Sequence, residues 1–288
     1  MSDASRSPRP TSALRVRFWG VRGSTPTPVL DHMAVGGNTS CVELTTPGGT
    51  RLIFDAGTGL RLLGDCLLEE ARQSGRSVRA TILLSHLHWD HIQGFPFFRP
   101  AFVAGTEITI VGVSSARQTL EHAFRGQLKD PYFPVVFEKL PARVSFLDLT
   151  SKPLPLHDVV LRTCALHHPQ GATGFRVDCN GRSVVYIADH EHGDTARDHD
   201  VRELAADADL LICDAQFTPE EYENTFRGWG HSTWIEVARL AQVARVKQLL
   251  LTHHDPWHND AQMDAIEQAA RGVFPATRVA REGMEILV

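Results

Sequence analysis

Short apolar runs bounded by glycine, proline and threonine recur along most of the chain and alternate with longer amphipathic stretches. These runs predict β-strands, because a half-buried or buried strand shows about four to eight alternating or consecutive apolar residues between turn residues. The predicted strands are Leu14–Trp19, Cys41–Leu44, Arg51–Phe54, Ala80–Leu84, Ile108–Val113, Val144–Leu147, Val159–Leu166, Gly174–Asp178, Ser183–Ala188, Leu210–Cys213 and Gln248–Thr252.

The longer stretches carry apolar residues at helical spacing and predict four helices. They are Leu60–Gln73, Ser115–Leu128, Ser232–Val243 and Asp260–Arg271. The first is followed by Gly75, a residue type that often closes a helix, and the third begins with a good N-cap. Because strands come in clusters and then alternate with helices, one doubly wound parallel sheet fits poorly. The order instead favours an α/β protein in which two mixed sheets pack together with helices outside.

The domain organisation predicted from the sequence is simple. Residues 1–13 are rich in Ser, Pro and Arg and lack the apolar segment of a secretory signal, so we expect a disordered tail. Residues 14–288 show no internal repeat and no linker, which favours one domain. We expect no membrane span, because no run approaches about 18 apolar residues.

Charge and cysteine content restrict the class of protein. The formal net charge of −5 argues against a basic surface for nucleic acid. The cysteine count of five is odd, and no pair has CxxC spacing. We therefore expect no disulfide framework and a cytoplasmic location.

The segment at residues 85–91, SHLHWDH, is the strongest chemical feature of the sequence. It follows the predicted strand Ala80–Leu84 directly, and it places three imidazoles and one carboxylate within six positions. Imidazole and carboxylate groups suit zinc, and loops beyond strand ends can converge on one point. A solvated histidine-rich loop is the alternative, but such a loop needs neither the tryptophan nor the buried strand before it.

The spacing within this segment predicts that it serves two adjacent metals. His86 and His88 are two positions apart and can point the same way if the chain stays extended. Asp90 and His91 lie beyond the turn and face another direction.

This HxHxDH spacing resembles the motif of the metallo-β-lactamase superfamily, and the similarity extends over nearly the whole chain. Residues 54–59, FDAGTG, are similar to the family's earlier Asp–Gly turn. His168, followed by GFR at residues 174–176, resembles the third-histidine motif. Asp189 after VVYIA resembles the bridging carboxylate, and His253 after LLT resembles the last ligand. The resemblance implies a four-layer αββα sandwich of two mixed sheets flanked by helices.

The resemblance also implies two divalent metal ions, with zinc favoured and manganese or iron as alternatives. The implied ligands are imidazoles and carboxylates: His86, His88 and His168 for the first ion, Asp90, His91 and His253 for the second, and Asp189 spanning both. This arrangement leaves a position between the ions for a shared water.

Two of these ligands have a neighbouring histidine that competes for the role. His167 and His168 face opposite sides of an extended chain, and the spacing to Gly174 favours His168. Comparison with the family's last-strand motif favours His253, while His254 stays an alternative.

Two further motifs resemble the ribonuclease Z-like phosphodiesterases. They are the glycine-rich opening at residues 18–26, FWGVRGSTP, leading to GNTS at 37–40, and the segment GHST at 230–233. Lactamases and glyoxalase II-type thioesterases lack this pair. The second motif implies that His231 is a general acid or stabilises phosphate charge, and Asp90 would orient the water or accept its proton. Outside this context His231 would be interpreted as the first polar residue of a helix.

The interval between the third histidine and the bridging aspartate separates this chain from ribonuclease Z, which inserts a transfer-RNA-binding arm there. Here the interval is only 189 − 168 = 21 residues. Together with the negative charge, this predicts a small phosphodiester substrate, including cyclic nucleotides and cyclic sugar phosphates, and not nucleic acid as the main substrate. Relatives in this branch are often dimers, so the resemblance also implies that a homodimer can form.

The sequence thus predicts a binuclear metal-dependent phosphodiesterase that acts through a metal-bridging hydroxide. Alternatives are hydrolysis of a lactone, thioester or β-lactam, RNA processing, and a metal-bound ligand sensor without turnover. Asp55 is expected either to orient a ligand histidine or to form the turn before the glycines. His190, Glu191 and His192 are interpreted as a solvated loop, with a place at the pocket rim as the alternative.

Overall fold

The computed structural model describes residues 13–114, 118–149 and 152–288. The predicted tail therefore lies almost wholly outside the described residues, as does the predicted start of the second helix at 115–117. The strands of the described residues are β1 Arg15–Gly20, β2 Cys41–Thr45, β3 Arg51–Phe54, β4 Arg79–Leu83, β5 Glu107–Gly112, β6 Arg143–Asp148, β7 Leu154–Leu156, β8 Val159–Leu166, β9 Ala172–Cys179, β10 Arg182–Ile187, β11 Leu210–Asp214, β12 Leu249–Thr252, β13 Thr277–Val279 and β14 Glu285–Leu287.

The helices of the same residues are few and mostly short. They are α1 Leu60–Ser74, α2 Trp89–Ile92, α3 Leu120–Gln127, α4 Thr195–Ala205, α5 Pro219–Glu221, α6 Trp234–Val243 and α7 Asp260–Val273. A π-helical turn, Tyr222–Phe226, continues α5. No helix in the described ranges has the length and apolar character needed to cross a bilayer.

The strands form two seven-stranded sheets, in the orders β14-β1-β2-β3-β4-β5-β6 and β13-β12-β11-β10-β9-β8-β7. In each sheet an antiparallel half joins a parallel half: β3 to β6 run parallel in the first sheet, and β10 to β13 run parallel in the second. Both sheets are therefore mixed, and the predicted fold class is confirmed. Carboxyl ends of neighbouring parallel strands meet at one edge, where ligand sites commonly form in α/β proteins.

The largest core lies between the sheets. Phe54 from the first sheet stacks on Tyr186 from the second, with ring centroids 4.9 Å apart. The same core continues beneath α6 and α7, and a second core lies between the first sheet and α1. The layers are thus helix, sheet, sheet and helix.

The helix ends follow from local side chains. α1 buries Leu60, Leu63 and Leu67 on one face and ends at Gly75, whose φ of 68° is left-handed, as the sequence predicts. α6 begins at Trp234 after the cap Thr233, two residues later than predicted, because the Thr233 hydroxyl accepts from the Glu236 N–H.

Several elements were not predicted. The sequence of α4, TARDHDVRELA, is mostly polar and shows no clear apolar face, because the helix buries only a few residues near its carboxyl end. Strands β7, β13 and β14 have three residues each, too few for alternation to show. α3 starts at Leu120, where Thr119 caps it, instead of at Ser115.

A buried arginine ties the glycine-rich opening to the loop after β12. The guanidinium of Arg22 is fully buried, and it donates to the carbonyl oxygens of Gly36 (2.8 Å), His258 (2.7 Å) and Asp255 (3.1 Å). It therefore satisfies acceptors from two segments that are far apart in sequence.

We expect Arg22→Met to lower the free energy of unfolding by about 3 kcal/mol, because each buried carbonyl left without a donor costs about 1–3 kcal/mol. Urea denaturation measures the change. Arg15→Met, at a partly exposed site on β1, is the matched control and should stay within about 0.5 kcal/mol of wild type. Equal effects of the two substitutions would show that Arg22 does not organise this region.

Candidate metal centre

The predicted ligands meet at the edge where strands of both sheets end. The segment at residues 85–91 follows β4 of the first sheet, whereas Asp189 follows β10 and His253 follows β12 of the second sheet. Their donor atoms form two groups within 4.8 Å: His86, His88, His168 and Asp189; and Asp90, His91 and His253. Asp189 and His253 also lie within this distance of Asp214 and His231, which were not predicted as ligands. All seven residues predicted as ligands therefore lie together.

The first group converges on a small space. His88 Nδ1 lies 3.1 Å from His168 Nε2. The Oδ2 atom of Asp189 lies 3.3 Å from His86 Nε2 and 3.6 Å from His168 Nε2.

The second group is equally compact and uses the other oxygen of Asp189. His253 Nε2 lies 3.1 Å from Asp90 Oδ2 and 3.2 Å from His91 Nε2. Asp189 Oδ1 is 3.2 Å from His253 Nε2 and 3.3 Å from His91 Nε2. The carboxylate of Asp189 therefore lies between the two groups and turns one oxygen to each.

These separations fit divalent cations. With zinc–nitrogen bonds of about 2.0–2.1 Å, the edge of a coordination tetrahedron is about 3.3–3.4 Å long, close to the distances above. Within the described part of the chain, His86 Nε2 and Asp189 Oδ1 are buried without a hydrogen-bond partner. Buried polar atoms are normally partnered, so these two atoms, one in each donor group, fit a positively charged ligand in each group.

The electrostatics of the two groups differ. Burial lowers the pKa of His168 to about 3, and burial with the charge of His91 lowers the pKa of His86. Both are thus neutral imidazoles at neutral pH, the form that binds metals.

In the second group the carboxylates dominate. Burial opposes the charged form of His253, but Asp189 and the hydrogen bond to Asp90 outweigh it and raise its pKa to about 9. Burial would likewise raise the pKa of Asp90, but the charge of His91 and the hydrogen bond from His253 hold it well below its ordinary value. This strong negative potential favours a cation.

Local backbone geometry separates the two pairs of the HxHxDH segment. His88 is extended (φ −63°, ψ 151°) and is the N-cap residue of α2, whose first turn contains Asp90 and His91. The turn expected between the pairs is thus the start of a helix. On the opposite side, a Cβ on Gly23 would lie 2.4 Å from His253 Nδ1, so the opening loop approaches this ligand as closely as glycine allows.

Asp55 holds one histidine of the second group. Its fully buried Oδ2 accepts from His91 Nδ1 (2.8 Å), the Ser85 hydroxyl (2.9 Å) and the Tyr186 hydroxyl (2.8 Å). His91 consequently presents Nε2 to the group. Of the two roles considered for Asp55, the contacts favour orientation of the ligand, although its φ of 61° shows that it also forms a turn.

We expect Asp55→Asn to weaken metal affinity about 10- to 100-fold, because partners that orient a ligand histidine have effects of this size. Titration against a competing chelator measures the affinity, and circular dichroism checks folding. Asp65→Asn, on the solvent-facing side of α1, should bind metal like wild type. Unchanged affinity in Asp55→Asn would leave Asp55 with a turn-forming role only.

The structure places His168, and not His167, in the first group. His168 Nδ1 donates to the carbonyl of Gly230 (2.9 Å), which leaves Nε2 facing the other donors. His167 turns away and contacts the carbonyl of Glu191 through Nδ1 (3.0 Å).

The structure likewise places His253, and not His254, in the second group. His254 Nε2 contacts the carbonyl of Ala280 (2.9 Å), and burial lowers its pKa to about 3. His253 is held by Gln216, whose Oε1 lies 3.0 Å from Nδ1.

His231 lies beside both groups and has a partner that the sequence analysis missed. Its Nδ1 is 2.9 Å from Oδ2 of Asp214, a fully buried carboxylate at the end of β11. The His231 ring is 5.2 Å from the ring of His168 and 5.0 Å from that of His253. The signal that could have identified Asp214 is a carboxylate immediately after the apolar run at 210–213.

The first two residues after Asp189, His190 and Glu191, are buried, which differs from the solvated loop expected from composition. Glu191 is only 5% exposed. Its carboxylate accepts from the Tyr222 hydroxyl (2.8 Å) and from the backbone N–H groups of Gly228 (2.6 Å) and Gly230 (2.7 Å). Glu191 therefore fixes the loop that contacts His168 and leads to His231.

Known proteins with similar sequence and structure share this architecture. Ribonuclease Z of Bradyrhizobium sp. (strain ORS 278) is 26% identical over 314 residues, covering 92% of this chain and 96% of that protein. The metallo-beta-lactamase fold protein YhfI of Bacillus subtilis superposes with a TM-score of 0.72 at 20% identity, covering 96% and 100% of the two chains. The short form of human tRNase Z superposes with a TM-score of 0.64 at 22% identity, covering 94% and 98%.

The ribonuclease relatives correct the expectation about substrate. The prediction that nucleic acid is not the main substrate is wrong as an exclusion, because a relative similar over nearly its whole length is a ribonuclease. The prediction used the net charge of −5, which sums over the entire surface. Contact with RNA depends on the local potential at the site, which bound cations would make positive.

The family assignment also follows from the sequence as a whole. The sequence profile described as the beta-lactamase superfamily domain matches residues 50–254, which include every predicted ligand. The ribonuclease Z-like resemblance stated from the motifs is thereby supported at the level of the superfamily. This chain belongs to the beta-lactamase superfamily.

Proposed function

We propose that the protein is a metal-dependent hydrolase of phosphodiesters. One observation carries the proposal: two donor groups share the carboxylate of Asp189, and His231 lies beside both of them. A phosphodiester is anionic, so its hydrolysis needs positive charge beside the phosphate and a proton for the departing oxygen. The donor groups would supply the first requirement and His231 the second.

The residues that would hold the cations are those of the two groups. His86, His88 and His168 would hold one ion, Asp90, His91 and His253 the other, and Asp189 both. Two such ions would neutralise charge on the phosphoryl oxygens and lower the pKa of a coordinated water. We propose zinc first, because imidazole and carboxylate donors suit it, although manganese and iron accept the same donors.

His231 is proposed to deliver a proton to the leaving alkoxide. The buried Asp214 carboxylate accepts from Nδ1, which fixes the imidazole tautomer and the orientation of the ring. The other ring nitrogen, Nε2, is then the atom that would face the substrate. Asp214 acts through His231 and is a positioning residue.

Asp90 is proposed to orient the attacking water in addition to holding a cation. Its Oδ2 accepts from the backbone N–H of Ser24 (2.8 Å) and contacts His253, so its carboxylate position is fixed. The low pKa of Asp90 keeps it ionised, which is the form that accepts a hydrogen bond from water.

The proposed substrates include RNA as well as small phosphodiesters such as cyclic nucleotides. The bond is the same in each, and the ribonuclease relative supports RNA. We further propose that residues 14–288 act as one domain, since β14 pairs with β1, and that the protein works in the cytoplasm, as its cysteine usage suggests.

The experiment that tests this function combines metal analysis with a substrate panel. Protein purified with zinc or manganese should carry about two ions per chain and hydrolyse bis(p-nitrophenyl) phosphate, 2′,3′-cyclic nucleotides or short RNA. The panel also contains a lactone, a thioester and a β-lactam, and His88→Ala is the inactive control. Faster turnover of the carbonyl substrates would assign the metal site to another bond. Ligand-induced stabilisation without product would favour the sensor.

A further inference from the structure

Two of the three exposed tryptophans in the described residues, Trp89 and Trp229, lie in different segments next to the candidate metal centre; the third, Trp257, follows His253 by four residues. Trp89 lies between His88 and Asp90 in sequence and is 67% exposed, and Trp229 lies two residues before His231 and is 60% exposed. An exposed indole leaves a large apolar ring in water, so such side chains concentrate where another molecule binds.

Both indoles belong to segments that adjoin His88, the predicted ligand with the greatest exposure. Among the seven predicted ligands His88 is the one that is only partly buried, and its Nε2 contacts the exposed Gln170 side chain (2.7 Å). Trp89 is the next residue after His88 in the chain. His168, whose Nε2 lies 3.1 Å from His88, contacts the carbonyl of Gly230, the residue after Trp229. A ligand that reaches His88 therefore lies beside the segments that carry the two indoles.

Trp229 is held in place by a column of aromatic rings. The Phe217 ring packs edge-on against His231 (5.8 Å) and stacks on Phe226 at 4.4 Å with an interplanar angle of 7°. Phe226 in turn packs edge-on against Trp229, with centroids 5.1 Å apart. These ring contacts connect His231, the proposed proton donor, with the exposed indole of Trp229.

The backbone on either side of Trp229 is fixed as well. The Glu191 carboxylate accepts from the N–H groups of Gly228 and Gly230, which bracket this residue. The Trp229 N–H also donates to the carbonyl of Phe226 (3.1 Å). An exposed ring whose backbone is this constrained is organised before a ligand arrives, which lowers the entropy cost of binding.

We infer that Trp229 and Trp89 form stacking platforms for nucleobases on the two sides of the scissile phosphodiester. The inference rests on the proposed function, which places the phosphate at the metal centre, and it narrows the substrate class to phosphodiesters that carry nucleobases. The metal centre would bind only the scissile phosphate, so stacking on the two indoles supplies affinity for the bases on either side of it. Stacking tolerates any base sequence, because every base has a π-face.

The test measures binding separately from hydrolysis. The probe is a fluorescently labelled, 2′-O-methylated hexaribonucleotide, compared with an abasic oligonucleotide of the same length and charge, and fluorescence anisotropy gives the dissociation constants. The variants are Trp229→Ala, Trp229→Phe, Trp89→Ala and Trp89→Phe. Leu287→Ala, at a 62% exposed apolar residue on the edge strand β14, is the matched control. Metal content is measured for each protein.

We expect each Trp→Ala substitution to weaken binding of the base-containing probe about 5- to 100-fold, whereas the Phe variants and Leu287→Ala stay near wild type. The abasic probe should bind wild type as weakly as the base-containing probe binds the Trp→Ala variants, and the substitutions should then have little further effect. Equal binding of the two probes by wild type would overturn the inference. If Trp89→Ala loses metal, its weaker binding has another cause, and the affinity of Trp229→Ala for the base-containing probe tests the inference.

Further arms identify the source of the base and separate this inference from the proposed function. A 2′,3′-cyclic mononucleotide and a cyclic dinucleotide compete with the probe: displacement by either at lower concentration than by unlabelled RNA assigns the platform to small nucleotides. Binding that depends on the bases, without hydrolysis of any phosphodiester, would support stacking on the tryptophans and contradict the proposed hydrolase function. Hydrolysis at a rate that depends neither on the bases nor on the two tryptophans would support the proposed function and contradict the stacking inference.

Discussion

His231→Ala should retain the metal content of the wild-type protein and lose about 100- to 10,000-fold in kcat on a substrate with an alkoxide leaving group. General acid catalysis contributes about this much, and His231 is outside the two groups of predicted metal ligands. Steady-state kinetics on a ribonucleotide phosphodiester, together with metal analysis of the same preparation, measures both quantities.

The leaving group provides the control for this prediction. p-Nitrophenolate departs without needing a proton, so bis(p-nitrophenyl) phosphate should be hydrolysed by His231→Ala much more nearly at the wild-type rate. Asp214→Asn should lower kcat in the same direction by a smaller factor, because the imidazole remains but its tautomer is no longer fixed. If His231→Ala turns over the alkoxide substrate at the wild-type rate, the proton comes from elsewhere.

Asp189→Asn should lower kcat at least about 1,000-fold and reduce bound metal from about two ions per chain to fewer than one. The two oxygens of Asp189 face different donor groups, so a single substitution weakens both. The charge that each cation provides in the transition state amounts to several kcal/mol, and about 1.4 kcal/mol corresponds to a tenfold change in rate. Metal analysis after dialysis and kinetics at saturating zinc measure the two effects.

Asp207→Asn is the matched control for this substitution. Asp207 has a left-handed backbone that Asn tolerates, and its carboxylate pairs with Arg245 on the surface. It should leave metal content and kcat unchanged. A variant of Asp189 that keeps two ions would mean that the two groups do not share this carboxylate.

The fold was predictable because its principal strands are buried runs. A strand such as β12, LLLT, is apolar at nearly every position since sheet and helices cover both of its faces. The two outer strands β13 and β14 contain three residues each, and pairing with a neighbour defines them more than their own sequence does. α4 was missed because it is capped by Asp194 and otherwise mostly polar.

The candidate site divides in the same way. The HxHxDH segment contains four metal-donor residues within six positions, so its spacing alone indicates a metal site. Asp214 is 17 residues from His231 and Glu191 is 39 residues from Gly230, so these pairs exist only once the sheets have formed. Composition was misleading for the segment after Asp189, because a charged side chain is readily buried when backbone N–H groups surround it.

Donor atoms from both sheets meet at one edge of the sandwich, and this has a mechanical consequence. A cation held there would cross-link the two sheets, because neither sheet alone supplies all the ligands of a site. At a free metal concentration about 100 times the dissociation constant, the folded state gains about 2.7 kcal/mol. Chelation should therefore lower the thermal midpoint of the whole protein, and readdition of zinc should restore it.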